Sequence, residues 1–341
     1  MPIRSRCPTR VDFAGGTTDL PAFRNAEGGA VVSASIRQYA YASLERMTDV
    51  CCRIASQDID AFVEARSIRE LEYDGNLDLL KAAVLALNLP GGMDIVVRCD
   101  APPGSGLGSS ASIGVALLGL LDRLRATEAG GRVRMLTRFE LADLACRLEA
   151  DLGIIGGMQD QFSAAVGGIN YMEFLPGNRV LVEPLHLAHR TIYELEKHLV
   201  LCYSGKSRLS GDANHRMISA YENGEPRVVN GLRNVKRIAR DVYSALVSDD
   251  LGWFADLLNE EWAARQELAD GIVTPEMHAQ REAAMAAGAV AAKVCGAGGG
   301  GCILFYCAPN REGEVRRALE TCGGRILEVT FEMTGLQVWE V

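Results

Sequence analysis

Residues 102–111 read Pro-Pro-Gly-Ser-Gly-Leu-Gly-Ser-Ser-Ala, and this stretch decides the fold because it joins a strand pattern to a helix pattern. Residues 94–99, Asp-Ile-Val-Val-Arg-Cys, are typical of a short strand, and the apolar residues of 110–125 recur at helical spacing. Glycines let a backbone approach an anion closely, and the first turn of a helix offers unpaired N–H groups and a partial positive charge. The stretch therefore predicts a nucleotide-phosphate loop between a strand and a helix.

Two better-known phosphate loops do not match this stretch. A Walker A loop requires a lysine after its last glycine, and none is present here. A Rossmann fingerprint requires glycine where Ser109 stands and rarely begins with two prolines. A tight turn that binds nothing is the structural alternative, but Gly-x-Gly-x-Gly followed by two hydroxyl residues favours a phosphate loop.

Glycine is in excess along the whole chain. There are 36 glycines among 341 residues, about a dozen more than an average composition gives. Hydrophobic residues make up 48% and charged residues 23%, which is typical of a folded globular protein and argues against disorder, collagen and coiled coils. Because a single core usually stops growing at about 250 to 300 residues, the length favours two domains, which we place at 1–190 and 191–341.

Charge and cysteine usage argue against several classes of partner. The chain has 35 Lys and Arg against 44 Asp and Glu, a net charge of −9, which argues against nucleic acid and anionic membranes. Its 10 cysteines are scattered without a Cys-x-x-Cys pair, so neither a zinc site nor a disulfide framework is indicated. The sequence shows no apolar leader and no stretch near the ~20 apolar residues of a membrane span. We expect a cytoplasmic protein, monomeric or homodimeric.

A second glycine cluster covers residues 293–302, Lys-Val-Cys-Gly-Ala-Gly-Gly-Gly-Gly-Cys. Consecutive glycines lose much backbone entropy on folding, so they indicate close backbone approach or positive φ angles. The apolar flanks, 290–294 and 303–306, predict a buried loop instead of a polar linker. A packing contact with a neighbouring element is the structural alternative.

A third cluster covers residues 10–19, Arg-Val-Asp-Phe-Ala-Gly-Gly-Thr-Thr-Asp. Aspartate and threonine around a Gly-Gly turn can bind the vicinal hydroxyls of a sugar, because a carboxylate accepts from two hydroxyl groups at once. The same residues, followed by Leu-Pro, can instead cap a short helix. Spacing alone leaves both interpretations open.

Two acidic residues follow the phosphate-loop helix. Thr137 and Glu140 predict a capping box that opens a helix, on which Glu149 lies at the flank of the apolar face. Asp160 falls in the first turn of a second short helix, where the helix N-terminus favours an ionised acid. Phosphoryl transfer needs one acid to bind Mg²⁺ and another to orient or deprotonate a hydroxyl. On their own, however, they are more simply a solvated helix acid and an N-terminal capping acid.

The coarse pattern indicates an α+β protein. Residues 30–46 and 51–55 alternate apolar and polar side chains, as strands of an antiparallel sheet do. The second half is more helical, with predicted helices at roughly 212–222, 227–247, 251–269 and 275–287. A strand at 199–203, the run 293–307, a helix at about 312–321 and a final pair of strands within 325–340 indicate a split ferredoxin-like unit.

Taken in order, these segments resemble the GHMP kinases, a superfamily of sugar and small-metabolite kinases. Residues 102–112 are similar to its phosphate-binding second motif, 293–302 to its glycine-rich third motif, and 10–19 to its substrate-side first motif. Residues 152–174 and 203–208 are similar to stretches of the heptose 7-phosphate kinases. The resemblance spans nearly the whole chain and implies an N-terminal domain like domain 2 of ribosomal protein S5 and a ferredoxin-like C-terminal domain.

The resemblance implies a phosphotransferase that uses ATP and Mg²⁺ and acts on a sugar or sugar phosphate. ATP would be bound by Pro103, Gly104, Ser105, Gly106, Gly108, Ser109 and Ser110. Ser110 and Glu149 would hold Mg²⁺, and Asp160, beside Arg10, would orient the attacking hydroxyl or accept its proton. The substrate would be bound by Gly15, Gly16, Thr17, Asp19, Lys206, Arg208, Gly296, Gly298 and Gly299. Among these, Lys206 and Arg208 would bind the phosphate of the substrate.

One departure from the heptose kinases bears on the substrate. Their first motif reads Ala-Gly-Gly-Gly-Thr-Asp, whereas residues 14–19 read Ala-Gly-Gly-Thr-Thr-Asp, with Thr17 in place of a glycine. The favoured reaction is phosphorylation of the anomeric hydroxyl of D-glycero-D-manno-heptose 7-phosphate, for nucleotide-activated heptose and surface polysaccharide. Two alternatives stay open: a 1-kinase for an unphosphorylated fucose, galactose or uronate, and a non-catalytic sugar sensor, against which the intact acids argue.

Overall fold

The computed structural model describes residues 2–205 and 211–341, and of residues 211–213 only the backbone. In this part of the chain the strands are β1 (Ile3–Ala14), β2 (Gly29–Met47), β3 (Cys52–Ser56), β4 (Ala61–Ala65), β5 (Gly92–Cys99), β6 (Ile169–Leu175), β7 (Arg179–Pro184), β8 (Leu199–Tyr203), β9 (Ala289–Val294), β10 (Cys302–Cys307), β11 (Arg325–Leu327) and β12 (Gln337–Glu340). The helices are α1 (Pro21–Glu27), α2 (Asp78–Leu87), α3 (Ser109–Glu128), α4 (Arg138–Asp151), α5 (Gln159–Val166), α6 (His189–His198), α7 (Gly211–Glu222), α8 (Pro226–Val247), α9 (Leu251–Gln266), α10 (Pro275–Ala287) and α11 (Glu312–Thr321). This mixture confirms the α+β class.

The first sheet is built around the long strand β2. Its order is β12-β1-β2-β5-β3-β4, and β6 and β7 extend it from the N-terminal half of β2. Residues 29–34 of β2 pair with β6, and residues 40–47 pair with β5. The two halves of β2 therefore pair with different strands. The antiparallel pairing of β1 with β2 confirms the strand predicted at 30–46.

Helix α3 packs against β1 and β2 of this sheet. Its apolar residues between Ala111 and Leu124 are almost all buried, because they form a continuous core with β1, β2 and β5. The capping box predicted for α4 is present: Thr137 Oγ1 accepts from the Glu140 amide at 3.2 Å, and the Glu140 carboxylate accepts from the Thr137 amide at 2.7 Å. These helices fix the positions of the phosphate loop and of Glu149.

The second sheet has the antiparallel order β11-β8-β10-β9. The predicted helices of the second half are present as α7 to α10, although α9 ends at Gln266, three residues before its predicted end. A single apolar core joins this half to the first sheet: the Phe13 ring of β1 meets the Phe254 ring of α9 edge to face at 5.3 Å between centroids. None of the helices in the described part of the chain is long and apolar enough to cross a membrane.

The last strand differs from the prediction. The pattern of 325–340 predicted a final pair of strands in one unit, but β11 pairs with β8, whereas β12 pairs with β1 in the first sheet. Ile3 lies opposite Glu340 in this pairing, and Arg6 Nε donates to Gln337 Oε1 at 2.6 Å. The predicted pair is therefore wrong, because β12 completes the exposed edge of β1. The domain division at 190 stays a prediction, from which this last strand departs.

Candidate active site

The predicted phosphate loop connects β5 to α3. Gly104, Gly106 and Gly108 have positive φ angles of 70°, 77° and 74°, which a residue with a Cβ adopts only with strain. Gly108 is the N-cap of the 20-residue helix α3 and has no side chain with which to cap it. The first-turn amides of α3 are therefore left for an anion. Within this segment the Ser110 side chain is exposed, whereas Ser105 is buried.

The phosphate loop packs directly against the second glycine cluster. A Cβ added at Gly106 would lie 2.5 Å from the Cys295 carbonyl oxygen, and one added at Gly296 would lie 2.8 Å from the Gly106 Cα. The Cys302 amide also donates to the Ser105 carbonyl oxygen at 2.8 Å. The loop at 293–302 is buried to half-buried, as its flanks predicted, and its glycine at 296 is explained by this backbone contact.

Arg10 and Asp160 form an ion pair beside the phosphate loop. Arg10 Nε and Nη2 both approach Asp160 Oδ1, at 2.8 and 2.6 Å, and Arg10 Nη1 donates to the Gly106 carbonyl oxygen at 2.6 Å. The second carboxylate oxygen, Oδ2, would lie 3.1 Å from a Cβ at Gly108, so it faces the loop. Burial lowers the pKa of Arg10, but Asp160 and Asp12 raise it further, and the net shift is upward. The guanidinium therefore stays charged.

Glu149 lies close to the same carboxylate. Burial and then the charge of Asp160 raise the pKa of Glu149 to about 7, although a hydrogen bond from Gln161 opposes the shift. That bond runs from Gln161 Nε2 to Glu149 Oε2 at 2.8 Å. Glu149 is half-buried, which agrees with its predicted position at the flank of the apolar face, and the first-turn position of Asp160 is confirmed.

Asp19 holds the helix that carries Asp160. Its Oδ2 accepts from the amides of Met158 and Gln159 at 2.8 and 3.0 Å. Asp19 therefore caps the N-terminus of α5, although it lies about 140 residues earlier in the chain. A Cβ at Gly157 would lie 1.8 Å from this oxygen, which explains the glycine. The alternative in which these residues cap α1 is wrong, because the N-cap of α1 makes no side-chain hydrogen bond. Contact of the buried Asp19 with a sugar stays a prediction.

Thr17 occupies a strained position in the same loop. Its φ angle is 76°, in the left-handed region, where a β-branched residue is an outlier. The side chain is buried, and among the described residues its hydroxyl has no hydrogen-bond partner. The neighbouring Thr18 hydroxyl, in contrast, lies 2.7 Å from the Gly15 carbonyl oxygen and 3.0 Å from that of Ala30. The strain and the unpaired hydroxyl distinguish Thr17 from its neighbour.

The remaining predicted substrate residues have separate surroundings. Gly298 packs on Ile272, whose Cγ2 would lie 2.5 Å from an added Cβ, and the Gly299 amide donates to the Ile272 carbonyl oxygen at 2.7 Å. These contacts explain the two glycines by packing, and their contact with a substrate stays a prediction. Lys206 and Arg208 lie outside the described residues.

Sequence reasoning missed a group of buried charges beneath these loops. Glu261, Arg265 and Lys293 are fully buried. Arg265 and Lys293 contact Asp12, a residue for which no role was predicted. One signal was available: Lys293 stands at the end of an apolar run, where a lone charge is expected only with a buried partner. The partners on α9 left no comparable signal.

Comparisons with known proteins identify the family of the chain. Residues 77–168 match the profile of the GHMP kinases N terminal domain, and residues 242–324 match that of the GHMP kinases C terminal domain. A solved D-glycero-D-manno-heptose 1-phosphate kinase from Bacteriodes thetaiotaomicron is 31% identical, with a TM-score of 0.79 over 99% of both chains.

The chain belongs to the GHMP kinases. The predicted family and fold are thereby confirmed, and the protein is a phosphotransferase that uses ATP. A D-glycero-alpha-D-manno-heptose 7-phosphate kinase from Campylobacter jejuni is 28% identical over 345 residues and covers 99% of both chains. The Arabidopsis thaliana bifunctional fucokinase/GDP-fucose pyrophosphorylase is 27% identical over 332 residues, which span 92% of this chain and 30% of that protein.

The carboxylates of this GHMP kinase fit a divalent cation. In the described residues no three His, Cys, Asp or Glu side chains converge on one point, so a cation would have few protein ligands. That suits Mg²⁺, which keeps several waters and phosphate oxygens in its octahedral shell. Burial and, after it, the charge of Asp160 raise the pKa of Glu149, and a bound cation would relieve the repulsion between the two carboxylates. The oxygen donors present are the hard ligands that Mg²⁺ prefers.

We predict that Glu149→Gln stabilises the metal-free GHMP kinase at neutral and alkaline pH but not in acid. The pKa of Glu149 rises from 4.5 to about 7, so the folded protein binds more protons than the unfolded chain between these values. Its contribution to stability therefore falls as pH rises to about 7 and is constant above. Thermal melting in chelator should show a higher Tm for the variant at about pH 8 and almost no difference at about pH 4, below the unfolded pKa. The exposed Asp151→Asn is the control, and equal Tm differences at both pH values would contradict the assignment.

We predict that Thr17→Gly raises stability while it weakens sugar binding. Releasing a β-branched residue from the left-handed region should stabilise the fold by about 1 kcal/mol. If the unpaired hydroxyl contacts the sugar, the KM for sugar should rise about tenfold as that hydrogen bond is lost. Calorimetry and steady-state kinetics measure the two effects. Asn88→Gly, at another left-handed position, is the control for the effect of backbone strain on stability. If Thr17→Gly raised the Tm but left the KM for sugar unchanged, Thr17 would lie outside the binding site.

Proposed function

We propose that this GHMP kinase transfers the γ-phosphoryl group of ATP to the anomeric hydroxyl of D-glycero-D-manno-heptose 7-phosphate. The 1,7-bisphosphate would supply nucleotide-activated heptose for surface polysaccharide. The observation that carries the reaction type is the Asp160 carboxylate, with Oδ1 bound by Arg10 and Oδ2 facing the phosphate loop. The substrate rests on similarity to the Campylobacter jejuni heptose 7-phosphate kinase across 99% of both chains.

Each residue has a distinct task in the proposed reaction. The loop from Gly104 to Ser110 binds the ATP phosphates through its amides and the first turn of α3. Ser110 and Glu149 would hold Mg²⁺, which would neutralise charge on the transferring phosphoryl group. Arg10 fixes the position of Asp160, and Oδ2, which faces the phosphate loop, accepts a hydrogen bond from the sugar hydroxyl that attacks.

A cationic side chain is needed to bind the 7-phosphate of the proposed substrate. Lys206 and Arg208 follow β8 and resemble the corresponding residues of the heptose kinases, and an arginine suits a phosphate because it binds two oxygens at once. We therefore propose these residues for the distal phosphate. Charge-neutral variants at both positions would test this through the KM for the sugar phosphate.

Phosphorylation of an unphosphorylated sugar is the second candidate. It is favoured by Thr17, whose strained backbone and unpaired hydroxyl add a polar group to the predicted sugar loop. The similarity to a protein named as a fucokinase points the same way. A threonine hydroxyl beside the sugar can form a hydrogen bond with a sugar oxygen, whereas a glycine at the same position cannot.

We predict that MgATP and heptose 7-phosphate together release ADP, whereas heptose without its phosphate gives a kcat/KM about 10²-fold lower. A coupled ADP assay measures both, and ³¹P spectra identify the phosphorylated carbon. Heptose 1-phosphate should be assayed as a third compound, because the Bacteriodes thetaiotaomicron relative is named for it. Turnover on the free sugar alone would replace the proposal by the second candidate, and turnover on heptose 1-phosphate alone would move the acceptor to another hydroxyl.

We predict that Asp160→Asn lowers kcat by ~10²-fold or more while ATP still binds, because the amide neither holds the charge nor accepts a proton. Kinetics and nucleotide titration separate the two effects. Asp256→Asn, an exposed acid on α9, is the matched control. Normal turnover by the Asp160 variant would contradict its role, and binding of sugar and ATP without turnover by the wild type would favour a sugar sensor.

A further inference from the structure

Four charged side chains lie fully buried between the two sheets. Asp12 comes from β1, Glu261 and Arg265 from α9, and Lys293 from β9, and each has an exposed fraction of 0%. Lys293 Nζ lies 2.7 Å from Asp12 Oδ2, and Arg265 contacts Glu261 Oε1 through Nε at 3.0 Å and Nη2 at 2.5 Å. Two weaker contacts, Lys293 to Glu261 at 3.7 Å and Arg265 to Asp12 at 3.8 Å, close the group. We call it the buried charge cluster.

The cluster contacts the backbone of both site loops. Arg265 Nη2 donates to the Gly16 carbonyl oxygen at 3.1 Å, and Arg265 Nη1 donates to the Gly296 carbonyl oxygen at 3.0 Å. Asp12 Oδ1 accepts from the Gly296 amide at 3.3 Å. One planar guanidinium thus joins the predicted sugar loop, 15–19, to the glycine loop, 294–302.

The bridge continues to the catalytic pair. Gly296 packs on Gly106 of the phosphate loop, and the Gly106 carbonyl oxygen accepts from Arg10, which binds Asp160. Asp12 also acts on Arg10 directly, because its charge raises the pKa of that guanidinium. The sugar loop, the phosphate loop and the catalytic carboxylate are therefore linked through Arg265 by contacts between fully or partly buried groups.

Stability does not account for this cluster. Each buried ion costs several kcal/mol of lost solvation, and replacing a buried ion pair by apolar side chains of similar volume is often neutral or stabilising. Glu261 Oε2 is buried and has no hydrogen-bond partner among the described residues, which adds to the cost. What the charges provide, and apolar side chains do not, is directed hydrogen bonds to two carbonyl groups.

We propose that Arg265, held by Glu261 and Asp12, is a positioning residue for phosphoryl transfer. Its guanidinium fixes the sugar loop against the glycine loop, and so sets the distance from the acceptor hydroxyl to the phosphate loop. Misplacing reacting groups by about 1 Å costs up to ~10²-fold in rate, so loss of the bridge should lower kcat and raise the sugar KM. ATP affinity should change little, because the phosphate loop stays anchored to β5 and α3. The proposal rests on the kinase reaction above but on no particular sugar.

The decisive variant is the double substitution Glu261→Met with Arg265→Met. It removes one positive and one negative charge together, fills the space and leaves the pair of Asp12 with Lys293 intact. We expect a folded protein with a Tm at or above that of the wild type, a kcat/KM for sugar ~10²-fold lower and an ATP Kd within about threefold. A residue with only a structural role would not combine retained stability with lost turnover.

A conservative variant and a surface control complete the design. Arg265→Lys keeps the charge but cannot reach both carbonyl groups in the guanidinium geometry, so it should retain the Tm and recover only part of the kcat/KM. Replacing the exposed α4 pair Asp143 and Arg147 by methionines removes an equivalent ion pair outside the site and should change neither value. Wild-type kcat/KM in the folded double variant would overturn the proposal, as would a loss of activity that merely follows a loss of Tm.

Amide hydrogen exchange keeps this test separate from the substrate assignment. If the bridge holds the two loops, residues 15–19 and 294–302 should exchange at least tenfold faster in the double variant, while α3 and α4 keep their protection. This readout needs no sugar, so it holds even if heptose 7-phosphate is not the substrate. Unchanged exchange in both loops would overturn the positioning role whatever the wild type phosphorylates.

Discussion

The contact between Gly106 and Gly296 is the constraint on which the rest of the site depends. Two backbones meet there at a distance that no side chain tolerates, since an added Cβ on either residue would lie under 3 Å from the other loop. This contact brings a loop of the first sheet and a loop of the second sheet to one place. It also explains part of the glycine excess, because glycine is the residue that permits such an approach.

A contact made only of glycines has no side chains with which to hold itself. Backbone carbonyl groups are then the remaining points of attachment, and the chain supplies charged donors to them from below: Arg10 to Gly106, and Arg265 to Gly16 and Gly296. Arginine suits this task because its rigid fork carries several donors at fixed angles. Glycine loops and buried arginines are therefore two parts of one solution, and neither positions the site alone.

Local chemistry made much of the structure predictable. The phosphate loop follows from strand, glycines and helix in sequence, and the start of α4 follows from Thr137 and Glu140 three residues apart. What escaped prediction depends on partners far along the chain. The Asp19 side chain caps α5 across 139 and 140 residues, although its neighbours suggested a cap for α1, and β12 pairs with β1 from the opposite end of the chain. Periodicity reports which face is buried, but not which distant group covers it.

The division of labour within the Asp160 carboxylate bears on how a GHMP kinase of this geometry lowers its barrier. One oxygen is bound twice by Arg10, and the other faces the phosphate loop, so the direction of the carboxylate is fixed. Phosphoryl transfer through a loose transition state asks little of a base and much of alignment. In the proposed reaction, Asp160 therefore acts first by orienting the hydroxyl and takes its proton late, and alignment is also what Asp19, Arg10 and Arg265 each maintain.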